Sequence, residues 1–230
     1  MITLVLSTIS LMIPMSLLTQ KGYHSLWVWP ILLIAIFFIV NFIITNRQAT
    51  HPIVHFHTLF SKKPFVGATM AISSHLTLLT GIAGINVYIV RILKLPFDIS
   101  LHFYFFFFVG VIITGILKMF FYSSVGAGFL GTLGSSALLY VSIHWIILGN
   151  TINIPLLYIQ GLLLGFGASM TLVSGSMATL LDGDLKEAAQ RSQTMHTIRN
   201  FSAAMLIPII AYTIKNHIQK GTQSIYAENI

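Results

Sequence analysis

Apolar residues run through this chain in continuous blocks, not at alternating intervals. The blocks cover about 2–18, 28–44, 65–90, 101–122, 129–148, 155–181 and 184–215. The sixth, about 26 residues long, makes roughly 39 Å of helix at a 1.5 Å rise, enough to cross a bilayer with tilt. Polar breaks separate the blocks. Gln20-Lys21-Gly22-Tyr23-His24 is a turn, and Trp27 and Trp29 follow where an interfacial aromatic belt would sit. Residues 47–65 form a polar connection marked by Pro52 and Pro64; residues 91–100 form a short loop with Pro96 and Asp98. Gly126 and Gly128 precede the fifth block. Asp184 with Glu187 three residues on has the form of a helix N-cap, so the last helix starts there and runs through Arg199 and Pro208. About seven transmembrane helices are expected, in an all-α polytopic membrane protein.

Composition agrees with that pattern. Of 230 residues, 56% are hydrophobic and 7% charged, against about 25% charged in a soluble domain. A β-barrel would show short alternating segments, which are missing here. The formal charge of +7 lies in loops and span ends with no basic stripe, which reads as topology and not as nucleic-acid binding. Placing Arg47, Lys62, Lys63, Lys118, Lys186 and Arg191 on one side leaves Lys21, Arg91, Lys94, Lys215 and Lys220 on the other. The first side is then cytoplasmic, with the amino terminus inside and the tail outside. With no Cys, disulfides, thiolate metal sites and Cys nucleophiles are excluded. Met1 opens an apolar run without a basic leader or cleavage site, so it reads as a span and not a signal peptide.

Several ordered marks resemble one transporter family. Gly22-Tyr23 with Trp27 to Pro30 is similar to a Gly-x-x-x-Trp turn. His51-Pro52-Ile53-Val54, then Leu59-Phe60 and Phe65, resembles a segment leading into a second half-bundle. Gln160-Gly161-Leu162-Leu163-Leu164-Gly165-Phe166-Gly167 resembles a Gly-rich fourth helix of that half. Ala188-Ala189-Gln190-Arg191-Ser192 through Thr197-Ile198-Arg199-Asn200 resembles an Ala-x-Ser-x-x-x-x-x-x-Arg helix start. Together they resemble the C-terminal half of a major facilitator superfamily transporter, in its fourteen-helix drug:proton antiporter branch. The loop after span four departs from that pattern, because Gly115-Ile-Leu-Lys118 is followed by Met119-Phe-Phe-Tyr-Ser-Ser with no carboxylate.

The resemblance implies two central linker helices in 1–46, a cytoplasmic connection in 47–64, a partial C-terminal transporter bundle in 65–216 and a polar tail in 217–230. It implies that the N-terminal half and the last helix are missing. It also implies a multi-pass place in the cell (inner or plasma) membrane and export of drugs or lipophilic compounds in exchange for protons. Its partners would be the lipid bilayer, a separate N-terminal transporter half, a small apolar or cationic substrate and the proton, with no nucleic acid and no cofactor. The chain would be inactive alone. A second reading is a small non-transporting membrane subunit that scaffolds or regulates a partner. An enzyme is not expected, because no catalytic pair sits in a span.

Some residues stand out within the spans. No span holds an acid, so His75 and His144 are the titratable candidates for proton coupling, against the plainer role of neutral histidines bridging helices. Arg199 shares a helical face with Ser192, Met195, His196, Ser202, Ala203 and Leu206, which points it inward. It either lines the cytoplasmic mouth of a pathway or bonds helix-end carbonyls as a structural arginine. Asn86, Tyr88 and Gln160 are candidates for a substrate path or for helix bridging. Gly161, Gly165 and Gly167 suit close helix packing. The aromatics from Phe103 to Phe108 would wall a greasy pocket or face lipid. His51, His55 and His57 lack an acid or Cys to complete a metal set, so no metal site is expected.

Overall fold

The computed structural model describes residues 2–23, 25–50, 52–147, 153–181 and 184–228, with side chains as far as His217. His24, His51 and Asp182 lie outside the described residues, as do the side chains of Lys220 and Glu228. Six helices account for most of the chain: α1 Ile2–Lys21, α2 Val28–Gln48, α3 Lys62–Val87, α4 Phe97–Ile147, α5 Ile154–Leu181 and α6 Ala188–Glu228. A π-helical turn, Tyr88–Ile92, extends α3, and no strand occurs among the described residues. All six helices carry a stretch long and apolar enough to cross a bilayer. This is a multi-pass α-helical membrane protein.

The six helices hold the seven expected span-length segments, because the fourth and fifth blocks are the two arms of α4. That helix is 51 residues long and is broken at Gly126, whose φ of 75° and ψ of 170° are non-helical. Only glycine occupies that region readily, since any Cβ would clash with its own backbone. The arms, 97–125 and 127–147, run in opposite directions along α5. In the first, Phe103 meets Gly161 and Lys118 reaches Met170, so numbering rises together. In the second, Gly134 meets Thr171 and Trp145 reaches Gln160, so numbering runs opposed.

The chain divides into two compact units, 1–54 with 200–230, and 55–199. In the first, α1 ends at Gly22, whose φ of 76° turns the chain and whose N–H bonds the Leu18 carbonyl at 2.9 Å. Trp29 Nε1 then donates to the Tyr23 carbonyl at 2.9 Å. Leu11, Met15, Leu18, Val28 and Ala35 form the buried seam of this hairpin, with Phe201 and Ile209 of α6 against it. Asn46 is buried here as a loop staple. Its Nδ2 donates to the Val54 carbonyl (2.7 Å), and its Oδ1 accepts from the Ile53 and Val54 N–H groups (2.9 and 3.1 Å).

The second unit is organised around α5. Lipid gives no hydrophobic push between spans, so close backbone approach has to hold them. At Gly165 an added Cβ would overlap the Phe107 carbonyl, and at Gly110 it would overlap that of Leu162. Phe103 and Phe107, one turn apart, therefore pack inward on α5, while Phe105 and Phe108 remain exposed. The aromatic run thus packs a helix seam through Phe103 and Phe107 instead of walling a pocket, and its outer rings are exposed. On another side, α3 lies antiparallel to α5: Gly67 faces Gly175, and Ser74 Oγ donates to the Ala168 carbonyl at 3.0 Å.

Entry into α6 follows the expected cap only in part. Asp184 Oδ1 accepts from Lys186 N–H at 3.0 Å, but Glu187 turns to Arg191, at 3.8 Å, instead of back to Asp184. A 3-10 turn, Leu185–Glu187, precedes α6.

Candidate functional site

The polar candidates fall into separate groups within the second unit. The tightest centres on Gln160, which is 1% exposed on α5. Trp145 Nε1 donates to Gln160 Oε1 at 2.7 Å. An indole N–H is only a donor, so it fixes which end of the amide faces it. The amide NH2 then faces His144, and Gln160 Nε2 donates to Nδ1 at 2.8 Å. His144 therefore accepts through Nδ1 and carries its proton on Nε2. A proton on Nδ1 would confront the NH2 group, and flipping the amide would set that NH2 against the Trp145 N–H. The hydrogen bonds of the network thus fit the Nε2–H tautomer of His144.

Beside it is a cavity of about 230 Å³ lined by Gly84, Ile85, Tyr88, Trp145, Leu157 and Gln160. The π turn that starts at Tyr88 widens the helix there, a distortion frequent at functional sites. The walls are mostly hydrocarbon and aromatic ring, with the Gln160 network as the polar point. The volume exceeds the roughly 150 Å³ that accommodates benzene in an apolar protein interior. An aromatic ring or part of an alkyl chain fits.

Asn86 is on the same helix but serves another contact: Tyr104 Oη donates to its Oδ1 at 2.7 Å, joining α3 to the first arm of α4. His75 lies about 15 Å from Ile85 along α3, at 1.5 Å per residue. It belongs instead with Arg199 and His196, both imidazoles lying within coulombic reach of that guanidinium. A second cleft, about 380 Å³ between α3, the second arm and α5, is rich in hydroxyls from Ser73, Ser74, Thr77, Ser135, Ser142 and Thr171.

Two cations matter more than their sequence positions suggested. Lys118 does not sit at a membrane edge. Its Nζ donates to the Met170 carbonyl (2.9 Å) and approaches that of Ser169 (3.5 Å), well inside α5. Arg191 is the most buried cation among the described residues, at 2% exposure. Its Nε donates to the Thr179 carbonyl and its Nη2 to the Leu180 carbonyl, both at 2.9 Å. This is the helix-end role weighed for Arg199, performed one helical stretch earlier. A signal for it was legible: a cation in the first turn after a short loop is placed to meet the last carbonyls of the preceding helix.

Gly161, Gly165 and Gly167 line the side of α5 that meets both arms of α4, against Phe103, Phe107 and Gly134 respectively. His55 and His57 have ring centroids 6.1 Å apart, and no group of three metal-ligating side chains occurs among the described residues.

Compared with family models, with curated proteins and with solved structures, the chain matches nothing in any of the three. Fold and site therefore define a class, a multi-pass helical membrane protein with an apolar cavity beside a buried polar network.

Proposed function

We propose that residues 55–199 form part of a secondary active transporter of the major facilitator type. It would export drugs or other lipophilic compounds in exchange for protons, from the cell membrane, working with a second half-bundle. The observation that carries this reading is the cavity beside Gln160. It offers aromatic and aliphatic walls to an apolar group, and it touches, through Gln160, a buried in-span network that includes the ring of His144. Ligand entry and proton entry would then act on the same amide. Ordered sequence resemblance supports the same reading. Export of this kind needs a second half-bundle beside residues 55–199, because substrate in such transporters passes between two halves.

The test uses two readouts. With Trp27 and Trp29 replaced by Phe, Trp145 is the sole indole. Bromobenzene should quench its fluorescence saturably, and Gly84→Leu, which fills the cavity, should abolish that quenching. In inside-out vesicles, proton-driven dye accumulation should require co-expression with a six-helix first half. Unchanged quenching in the Gly84→Leu protein would remove the cavity from the argument, and accumulation by this chain alone would defeat the half-transporter reading.

A further inference from the structure

The charges within the spans point to a ligand of opposite sign. Arg199 lies inside the membrane-length segment Leu185–His217. Its Nε is buried and has no hydrogen-bond partner. The ion pairs among the described residues are His102 with Asp98 and Arg191 with Glu187, and neither involves Arg199. Asp184 accepts from a backbone N–H at the loop. Lys118, the other cation well inside the spans, is held by carbonyl groups alone. A guanidinium in a span costs several kcal/mol unless something compensates it.

Among the described residues no acidic side chain pairs with Arg199, and the titratable groups within its coulombic reach are imidazoles. Residues Ala71 of α3 and Met195 of α6 share one buried cluster. Both helices begin at the C-terminal end of α5: Thr179 bonds the Pro64 carbonyl, and Arg191 bonds the Thr179 carbonyl. They therefore run parallel, and one turn beyond Ala71 and Met195 come His75 and Arg199 at the same height. His196 sits three residues before Arg199, on the same face. The result is a guanidinium with two imidazoles within its coulombic reach, all of them donors or potential donors.

We propose that Arg199, with His75 and His196, binds the anionic headgroup of an amphiphile, a carboxylate or a phosphate. Its Nε–H and an adjoining Nη–H form one edge of a fork whose spacing matches two oxygens of such a group. An apolar tail is required, because a bare inorganic anion has no favourable route to this depth. A lipophilic cation is disfavoured here by like charge. As a statement about cargo this rests on the transporter reading; as a binding site it does not.

The test uses the purified full chain in nanodiscs of phosphatidylcholine, with radiolabelled laurate as the probe. Laurate should bind saturably, and dodecyltrimethylammonium, of equal chain length, should not displace it. Arg199→Gln should weaken binding roughly ten-fold or more, the loss of at least one charge-assisted hydrogen bond. Arg199→Lys should weaken it less, and Arg47→Gln, at an exposed position, should leave it unchanged. Should the Gln variant fail to fold, Arg199→Lys and His75→Gln decide, each expected to bind laurate more weakly than the native chain. Adding phosphatidylglycerol separates two sources: loss of laurate binding identifies a lipid headgroup as occupant, and retained binding a free amphiphile. Native affinity in the folded Arg199 and His75 variants, or displacement by the cationic detergent, overturns the proposal. Absent proton-driven export from vesicles that also carry the six-helix first half, with laurate binding intact, would defeat the transporter reading and leave this site standing.

Discussion

Arg191→Met asks whether this arginine is structural. The native side chain is 2% exposed and makes two hydrogen bonds of 2.9 Å to the carbonyls of Thr179 and Leu180. Two charge-assisted bonds are worth ~1.5–3 kcal/mol each. Removing the guanidinium also removes its desolvation cost, which is of comparable size. Methionine fills most of the space, so little cavity is left. What remains is two helix-end carbonyls without donors, at ~1–3 kcal/mol each. A net loss of about 2–4 kcal/mol follows. The matched variant is Arg199→Met, where no carbonyl is stranded because Nε has no partner. It should be neutral or stabilising. Both can be measured by titrating sodium dodecyl sulfate into the protein in dodecyl maltoside and following helicity by circular dichroism. Arg191→Lys should fall between native and Met, since one compact amine cannot span both carbonyls as the fork does. If Arg199→Met unfolds more easily than Arg191→Met, the assignment of structural and free arginine is wrong.

Two glycine predictions separate close packing from backbone conformation. Gly165→Ala should destabilise by ~1–3 kcal/mol, because the new methyl meets the Phe107 backbone, which has nowhere to move, whereas Gly115→Ala, with nothing within 4 Å, should gain about 0.5–1 kcal/mol of helix stability; the same detergent titration ranks them, and equal effects would refute the contact. Gly126→Ala also meets no neighbour within 4 Å, yet should cost ~1–3 kcal/mol through its φ of 75° and ψ of 170° alone; unchanged stability would mean the arms of α4 are not joined in this way.

The spans were legible because a bilayer leaves little choice. A backbone crossing lipid must satisfy its own hydrogen bonds, so length and hydrophobicity betray each helix. The turn at Gly22 and the entry to α6 at Asp184 were legible for a similar reason, since both are made by residues near in sequence. Pairings between helices were not. The place of Arg191 just after a short loop hints at the preceding helix end, but it does not say which carbonyls it meets or that Arg199 meets none. Position in a block suggested a membrane edge for Lys118, but its amine folds back to Met170 because the first arm of α4 lies parallel to α5. Likewise His144, Trp145 and Gln160 are separated by a connection whose length does not reveal that their side chains converge.

Moving Lys118 inward changes the topology argument. From Met170 to Leu181 is roughly 16 Å of helix at 1.5 Å per residue, about half of a ~30 Å hydrocarbon core. A cation at that depth says nothing about sidedness. Within 55–199 the cations near helix ends are then Lys62, Lys63, Lys186 and Arg191 at one end of the bundle, against Arg91 and Lys94 at the other. The excess still favours the first end as cytoplasmic. The Tyr88–Gln160 cavity lies toward the second end, near the close of α3 and the start of α5. It would therefore lie nearer the outer face, with the Arg199 cluster nearer the cytoplasm. The chain has no cysteine, so single introduced thiols report without background. Asp98→Cys should react with a membrane-impermeant maleimide in intact cells, and Ser61→Cys only after permeabilisation. The opposite pattern would invert the bundle and place the Arg199 cluster nearer the outer face, where an exported amphiphile would leave instead of enter.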